Sequence, residues 1–391
     1  MSQQGQRDYF LKPSEPSDWT QELTPSFTHD DAKLRLMLTL HSYVPSNHAA
    51  AEKEEEKEQT LWTQIGVGSC GAIFAPRGRS EVVKVAKKDD NALWNDFVMH
   101  RKILRSVIKY PGLRVKFPRC LGFTPKEDNF FADRPSLQQL ASATCPVPAD
   151  VLVSERILPL PQPARAHLIE KFCPPELKGI AHANINQHCL VRPYLGARNR
   201  TLNRWVFSLY NFKFYIDMME SLQLEVKTLA CAMGEALAVV HWDARTDGRD
   251  IEFALGSTRT MNTLLLDVPL DIREKKLVGP LSCNLDDLYW RQTQLYCLDF
   301  HQVREITLDE KGVDMMVDAF RANAPYFPRP LQQTPTEREA WTAFGYTYLT
   351  MAGKVLEHED ENIRGLPAMF VRKIVNAEWA KQINRAQYNG L

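Results

Sequence analysis

The feature that most constrains this chain is a cluster of acidic residues between two apolar segments. Four carboxylates fall within ten residues: Asp243, Asp247, Asp250 and Glu252. They directly follow residues 222–240, where apolar side chains recur with helical spacing. Because charged groups are costly to bury between apolar elements, the acids must lie in a loop at the edge of the core. We interpret this loop as a functional site at the end of a core helix.

The segments on either side of the acidic loop follow a definite order. Upstream lies a glycine triplet at 66, 68 and 71, and a β-branched run over residues 81–87 contains Lys84, thirteen residues after Gly71. Downstream, Asp299 and Phe300 follow an apolar run. Glycine loop, lysine strand, acidic loop and Asp-Phe is the order of parts in protein kinases. The glycines would let backbone amides approach an anion, which makes Gly68 and Gly71 candidate binding residues.

This order predicts an α+β, protein-kinase-like fold with two lobes. We expect a small β-rich N-lobe over residues 61–160 and a larger, mainly helical C-lobe over residues 161–391 that carries the acidic loop. Helical spacing over residues 91–108 predicts a helix after the lysine strand. Residues 1–60, which include a Glu/Lys run at 52–58, are expected to form a partly flexible N-terminal extension.

Composition excludes several classes of protein. The 391 residues are 44% hydrophobic and 25% charged, which is typical of a globular chain. The sequence contains no run of about 18 apolar residues, the length needed to span a bilayer. We therefore expect no membrane partner and a cytoplasmic location. The eight cysteines form no Cys-x-x-Cys pair, and we predict no disulfides and no structural zinc or other metal site.

The spacing of the acids departs from that of an active kinase. A phosphotransferase needs a base Asp and a metal-binding residue five positions later. Five after Asp243 is Gly248, and five before Asp250 is Arg245. Only Asp247 and Glu252 are five apart, so the phosphotransfer machinery is altered.

Two further kinase positions are changed. His301 follows Asp299-Phe300, where kinases carry glycine. The predicted helix after Lys84 lacks the expected glutamate, and Asp96 and His100 are the nearest polar candidates. The scaffold is predicted to be retained and its chemistry changed, unless the loop acids simply pair with Arg245 and Arg249.

Basic residues with interleaved aromatics occur in two stretches that suit a nucleic-acid backbone and exposed bases. The candidate contacts are Arg101, Lys102, Arg105, Arg114, Lys116, Arg198, Arg200 and Arg204. Because the formal net charge is zero, such a partner would have to be held by a local patch. The alternative is an ordinary solvated face.

Several motifs together resemble a known family. They are His241-Trp242, Asp250-Ile251-Glu252-Phe253, Leu255-Gly256-Ser257, Leu298-Asp299-Phe300 and Pro325-Tyr326-Phe327-Pro328-Arg329-Pro330. From about Trp62 to its end, the chain resembles a fungal family of kinase-like proteins of unknown function that includes the arginine-containing cyclodipeptide synthases. The resemblance implies condensation of arginyl-tRNA with a second aminoacyl-tRNA to a cyclo-Arg-Xaa diketopiperazine, without ATP or any other cofactor.

That activity implies roles for the candidate residues. A base is needed for the attacking α-amino group, and Asp243 or His241 would serve. The carboxylates of Asp247, Asp250 and Glu252 would grip the guanidinium of the arginyl group. In the same site we include the Asp299 carboxylate as catalytic and Lys84 as substrate-binding.

Ser69 has two possible roles in such a site. It and the glycine-loop amides would hold an ester oxygen or the terminal adenosine. In a covalent alternative its hydroxyl would accept the first aminoacyl group, although the sequence supplies no adjacent base.

Two other functions fit the same residues. The first is an ATP- and Mg²⁺-dependent small-molecule kinase of the aminoglycoside-phosphotransferase type, with Lys84 on phosphates and Asp250 and Asp299 on metal. The second is a non-catalytic pseudokinase that acts as a binding module.

Overall fold

The chain adopts an α+β fold with two β-sheets. The structure is a computed structural model that describes residues 30–45, 62–76, 79–182, 186–199, 207–259 and 290–389. The strands are β1 (Tyr43–Pro45), β2 (Trp62–Val67), β3 (Gly71–Pro76), β4 (Glu81–Ala86), β5 (Val115–Lys116), β6 (Cys120–Thr124), β7 (Val151–Glu155), β8 (Val191–Tyr194), β9 (Phe212–Tyr215), β10 (Glu252–Arg259) and β11 (Trp290–Leu298).

The sequence periodicity predicted some of the helices. They are α1 (Asp30–Leu38), α2 (Ala92–Val107), α3 (Pro135–Ala141), α4 (Gln162–Phe172), α5 (Lys178–Ala181), α6 (Ile216–Ser221), α7 (Val226–Ala238), α8 (Glu310–Ala322), α9 (Pro335–Val355), α10 (Glu361–Arg364) and α11 (Leu366–Asn389). No helix in the described part of the chain combines the length and apolar character needed to cross a membrane.

The first sheet is antiparallel, with the strand order β2-β3-β4-β7-β6. The β-branched run forms its central strand β4, where Val83 and Val85 are buried. These valines pack with Phe74 of β3, Leu137 of α3 and Leu93 of α2 in a separate, smaller hydrophobic cluster. Strands β2 and β3 form an antiparallel hairpin around the glycine turn.

The second sheet has the order β1-β11-β10-β8-β9, and β5 also pairs with β11. The longest pairing is between β10 and β11, which run antiparallel. In their register Glu252 lies opposite Leu298, the residue before Asp299. The pairing therefore brings the end of the acidic loop next to the Asp-Phe motif.

The predicted core helix of residues 222–240 is confirmed as α7, with narrower bounds. Its apolar stripe, which includes Leu229, Met233 and Leu237, is buried in the larger hydrophobic cluster. A single π-helical turn, Val239–Asp243, continues it into the acidic loop. The predicted helix after the lysine strand is confirmed as α2, whose Met99 and Ile103 join the larger cluster while Leu93 joins the smaller one.

The described part of the N-terminal extension is packed against the rest of the chain. Leu34 and Leu38 of α1 are almost fully buried in the larger cluster. Strand β1 extends the second sheet by pairing with β11. The Glu/Lys run at 52–58 lies outside the described residues.

Gly234 marks the closest approach of α7 to α9 and yields a test of the fold. A Cβ at this position would lie 2.6 Å from the Phe344 carbonyl oxygen and 2.7 Å from Thr347 Oγ1. Gly234→Ala should therefore lower the free energy of unfolding by about 1–3 kcal/mol, because the helices must separate.

Chemical denaturation of the full chain would measure this effect. The matched control is Gly353→Ala on the exposed side of α9, where a Cβ meets nothing within 4 Å. There the substitution should be neutral or stabilise by up to about 1 kcal/mol. Equal effects at the two positions would contradict the proposed close packing.

Candidate functional site

The centre of the site is the side chain of Lys84, which joins two carboxylates from distant parts of the chain. Its Nζ lies 2.6 Å from Asp96 Oδ2 on α2 and 3.0 Å from Asp299 Oδ1 beyond β11. Burial alone would lower the pKa of Lys84, but the two carboxylates raise it above its ordinary value. The ammonium group is therefore charged and paired.

Asp96 and His100 were the two candidates for the residue of α2 that pairs with Lys84, and Asp96 is the one that does. Besides Lys84, it accepts a hydrogen bond from the Phe300 backbone N–H at 3.1 Å. His100 instead lies with Nε2 2.7 Å from the Pro118 carbonyl oxygen. Asp96 thus holds both the lysine strand and the Asp-Phe segment.

His301 lies between the glycine loop and the acids. Its Nδ1 is 2.7 Å from Asp299 Oδ1, and its Nε2 is 3.3 Å from Ser69 Oγ and 3.7 Å from Asp250 Oδ2. Asp299 has a left-handed backbone (φ 64°), a conformation that aspartate tolerates better than most residues. The hydrogen bond to Asp299 raises the pKa of His301 above its ordinary value. Burial alone would raise the pKa of Asp299, but Lys84 and His301 hold it well below its usual range.

Asp250 is the loop acid that faces this cluster and stays accessible, with 46% of its side chain exposed. Its backbone is left-handed (φ 61°), and its N–H donates to Asn323 Oδ1 at 2.5 Å. Asn323 Nδ2 in turn donates to the Gly248 carbonyl oxygen at 2.7 Å. Gln302 donates to Asp250 Oδ2 at 2.6 Å. Burial and the charge of Asp299 raise the pKa of Asp250.

Glu252 already holds a guanidinium group of its own chain. Its carboxylate forms an ion pair with Arg192, a residue of the second sheet. Arg192 also donates to the Tyr326 hydroxyl at 2.8 Å and to Asn211 Oδ1 at 3.0 Å. Burial raises the pKa of Glu252 despite this partner.

Asp247 also pairs with an arginine of its own chain. Arg304 donates to it through Nε at 2.6 Å and through its backbone N–H at 2.9 Å, and the side chain of Asp247 is fully buried. The proposed three-carboxylate grip on a substrate guanidinium therefore does not assemble as expected. Of those three acids, Asp250 alone pairs with no arginine among the described residues.

The two expected bases lie apart from the Lys84 cluster. His241 is buried, with Nδ1 2.9 Å from the Tyr348 hydroxyl, and burial lowers its pKa to about 3. Asp243 accepts hydrogen bonds from Lys109 and Tyr110, each at 2.7 Å. Burial alone would raise the pKa of Asp243, but these bonds lower it. Neither residue contacts the Asp250, Asp299 and His301 group directly.

The glycines of the loop serve different purposes. A Cβ at Gly71 would lie 2.8 Å from the Val85 carbonyl oxygen and 3.0 Å from Lys84 Cγ, so this glycine lets the lysine side chain pass. The N–H of Gly68 donates to the Gly71 carbonyl oxygen at 2.8 Å. The Gly68 amide is thus hydrogen-bonded within the loop and is not available to bind an anion.

Some of the candidate tRNA contacts are exposed, and others form ion pairs within the chain. Arg101, Arg105 and Lys116 are exposed. Lys102 pairs with Glu305 at 2.8 Å, Arg114 with Glu235 at 2.7 Å, and Arg198 with Glu220 at 2.9 Å. Arg200 and Arg204 lie outside the described residues. Part of the expected basic patch is therefore neutralised by the chain itself.

His301 was not among the site residues predicted from the sequence, although its position after Asp-Phe is unusual. A histidine directly after Asp-Phe, where glycine is expected, was the available signal. Arg192 and Asn323 gave no local signal, because they lie 60 and more than 70 residues from their partners in the acidic loop. Such partners are set by the fold and not by local spacing.

Comparison with protein families gave a match over part of the site. A family model described as DUF3669, zinc finger protein, matches residues 295–360, which contain Asp299 and His301. The match covers less than a fifth of the chain. Comparison with curated proteins and with solved structures gave no significant match.

The zinc finger in that description has no counterpart in the described residues. The cysteines and histidines of the matched segment are Cys297, His301 and His358, whereas a structural zinc site takes four ligands. Within the described ranges no group of three or more His, Cys, Asp or Glu side chains is arranged to hold a metal ion.

Asp96 provides a test of the Lys84 contacts. Asp96→Asn removes one charge next to a buried ammonium group and should lower the free energy of unfolding by about 2 kcal/mol. The exposed Asp133→Asn variant is the control and should change it by less than about 0.5 kcal/mol. Urea denaturation would measure both; similar values would argue against a buried, paired Lys84.

The raised pKa of His301 predicts a pH dependence of stability. Because the folded state binds the imidazole proton more tightly than the unfolded chain, protonated His301 stabilises the fold below pH 6.5, and this contribution is lost as pH rises through the folded-state pKa. The stability advantage of the wild type over His301→Asn should shrink between about pH 5 and about pH 8.

Thermal melts at several pH values would measure this difference. The exposed His358→Asn variant is the matched control. The same trend in that variant would attribute the effect to loss of any histidine, and not to the contact with Asp299.

Proposed function

We propose that this chain is a protein-kinase-like, two-lobed enzyme that makes an arginine-containing cyclic dipeptide from aminoacyl-tRNAs. The observation that carries the proposal is His301, which is oriented by Asp299 and lies within reach of Ser69 and Asp250. An imidazole held in this way is suited to accept a proton in acyl transfer. At the place where a phosphotransferase would carry its base, five residues before Asp250, the chain has Arg245.

The kinase-like part of the proposal is supported by the contacts of Lys84. A lysine on the central strand of an antiparallel sheet pairs with a carboxylate of the following helix and with the aspartate of an Asp-Phe motif. Protein kinases use a lysine, a helix carboxylate and an aspartate in the same order. The separate hydrophobic cluster around β4 supports a small lobe.

The chemistry of aminoacyl esters matches the side chains in this region. An aminoacyl-tRNA is already activated, so peptide bond formation needs a base for the attacking amine and no ATP. An α-amino group titrates near pH 8, within reach of an imidazole or a carboxylate base. Asp250, half-exposed beside Asp299, is the best candidate to bind the substrate guanidinium, since Asp247 and Glu252 hold Arg304 and Arg192.

A binding surface for tRNA is supported by α2 and the segment after it. Arg101, Arg105 and Lys116 are exposed there and carry no counter-charge within their own stretch of sequence. Clustered cations of this kind attract a phosphate backbone.

A small-molecule kinase is the second candidate, and one observation favours it. Asp250 and Asp299 are close enough for the charge of one to raise the pKa of the other, and paired carboxylates are typical ligands for Mg²⁺. In that case Lys84 would contact nucleotide phosphates.

Mass spectrometry of small molecules from a host that expresses the full chain would test the proposal. We expect a new cyclo-Arg-Xaa product, and at least a tenfold loss of it in Asp250→Asn, which removes the charge that binds the guanidinium. The exposed Glu127→Gln variant is the control and should retain the product.

The kinase alternative makes a different prediction for the same protein. Absence of the dipeptide together with a rise in melting temperature on addition of ATP and Mg²⁺ would favour a kinase. Absence of both would leave the non-catalytic binding module as the better description.

A further inference from the structure

Three side chains from distant parts of the chain form a linear series next to the glycine loop. The hydroxyl Oγ of Ser69 lies 3.3 Å from His301 Nε2, and His301 Nδ1 lies 2.7 Å from Asp299 Oδ1. Ser69 is in the turn between β2 and β3, and it is exposed. A hydroxyl, an imidazole and a carboxylate in this order are the nucleophile, base and orienting group of acyl-transfer enzymes.

The backbone of His301 and the carboxylate that binds its ring are both anchored, which restricts the orientation of the imidazole. Asn95 Nδ2 donates to the backbone carbonyls of His301 and Val303 at 2.9 and 3.0 Å. Asp299 is itself anchored by Lys84 at 3.0 Å. Only 8% of the His301 side chain is exposed, so it has little freedom to turn away from Ser69.

The same contacts define where the proton of neutral His301 resides. Asp299 accepts at Nδ1, so that nitrogen carries the proton. Nε2 is then an acceptor, and both Ser69 Oγ and Gln302 Nε2, each 3.3 Å away, can donate to it. This is the tautomer that a general base for Ser69 requires.

We propose that Ser69 is a nucleophile that carries an aminoacyl group as an ester during the reaction. The inference rests on the proposed function, because an aminoacyl-tRNA is the acyl donor. Ser69 Oγ attacks the ester carbonyl carbon while its proton passes to His301 Nε2. The bond from the carbonyl carbon to the ribose oxygen of the tRNA breaks, and His301 returns the proton to that oxygen.

The second half of the cycle uses the same groups. The α-amino group of the second aminoacyl-tRNA attacks the seryl ester, its proton passes to His301, and that proton is returned to Ser69 Oγ as the ester bond breaks. The dipeptide remains esterified to the second tRNA. The free amino group of the dipeptide then attacks that ester carbonyl carbon, the bond to the ribose oxygen breaks, and the amine proton passes to that oxygen, which closes the ring and releases the tRNA.

The neighbouring thiol is not suited to this role. Cys70 is buried, and burial raises its pKa to about 12, so little thiolate forms at neutral pH. Lys87 does add positive charge near the serine, because its Nζ lies 3.2 Å from the carbonyl oxygen of Gly68. A cation there favours the negative charge that develops on the ester oxygen.

Rapid quenching followed by intact-protein and peptide mass spectrometry would test the proposal on the full chain with arginyl-tRNA and a second aminoacyl-tRNA as probes. We expect one aminoacyl residue on the peptide that contains Ser69. Ser69→Ala should lose the adduct and at least about 10³-fold in the rate of dipeptide formation. His301→Asn should lose about 10²-fold or more.

The matched control is Ser80→Ala, an exposed serine in the turn between β3 and β4 of the same sheet, which should keep both adduct and rate. If dipeptide forms and Ser69→Ala keeps the wild-type rate, transfer occurs directly between the tRNAs and the nucleophile proposal is wrong, while the proposed function stands. Loss of product in Ser69→Ala without any adduct in the quenched wild type also overturns the covalent step.

A second probe separates failure of this proposal from failure of the proposed function. A fluorophosphonate reagent labels activated serines without any tRNA. If no dipeptide forms, labelling of Ser69 that is lost in His301→Asn would still support an activated nucleophile. Absence of labelling in the folded wild type would overturn it.

Discussion

The ammonium group of Lys84, shared between Asp96 and Asp299, is the interaction on which the rest of the site depends. It joins the central strand of the five-stranded sheet to the helix that follows it and to the end of β11 in the other sheet. Taking a lysine out of water is costly, and the cost is offset only because two carboxylates meet it. Asp96 adds a bond to the backbone of Phe300. This charged contact therefore links the two sheets, and Asp299 in turn positions His301.

The carboxylates of the acidic loop differ in their partners and in their exposure. Asp247 and Glu252 pair with Arg304 and Arg192, which fixes the two ends of the loop against the second sheet and the segment after β11. Between them Asp250 takes a left-handed backbone conformation and remains accessible. A cluster that looked in the sequence like one binding unit is thus two buried or half-buried ion pairs on either side of an accessible carboxylate, Asp250.

Local patterns in the sequence predicted the elements well and the site only in part. The strand of the β-branched run, the helix after it and the core helix were evident because each depends on neighbouring residues. The partner of Lys84 on helix α2 could be narrowed to Asp96 or His100 because the helix follows the lysine strand directly, and the choice between them required the fold. By contrast, Ser69 and His301 are 232 positions apart, and no spacing rule brings them together. The arginine partners of Asp247 and Glu252 were hidden for the same reason, since ion pairs across a fold depend on register and packing.

The pairing of β1 with β11 includes residues before Trp62 in the folded unit. Strand β11 ends at the residue before Asp299, and its outer edge is covered by Tyr43–Pro45 and by Val115–Lys116. Thr293 is bound to this N-terminal segment through the backbones of His41 and Ser42 and through its hydroxyl to Met37. A shortened chain that starts at Trp62 would leave the edge of this strand unpaired over residues 290–292 and remove Leu34 and Leu38 from the core, which are conditions that favour association between sheets. Residues 30–45 are therefore part of the folded unit that supports the strand leading to Asp299.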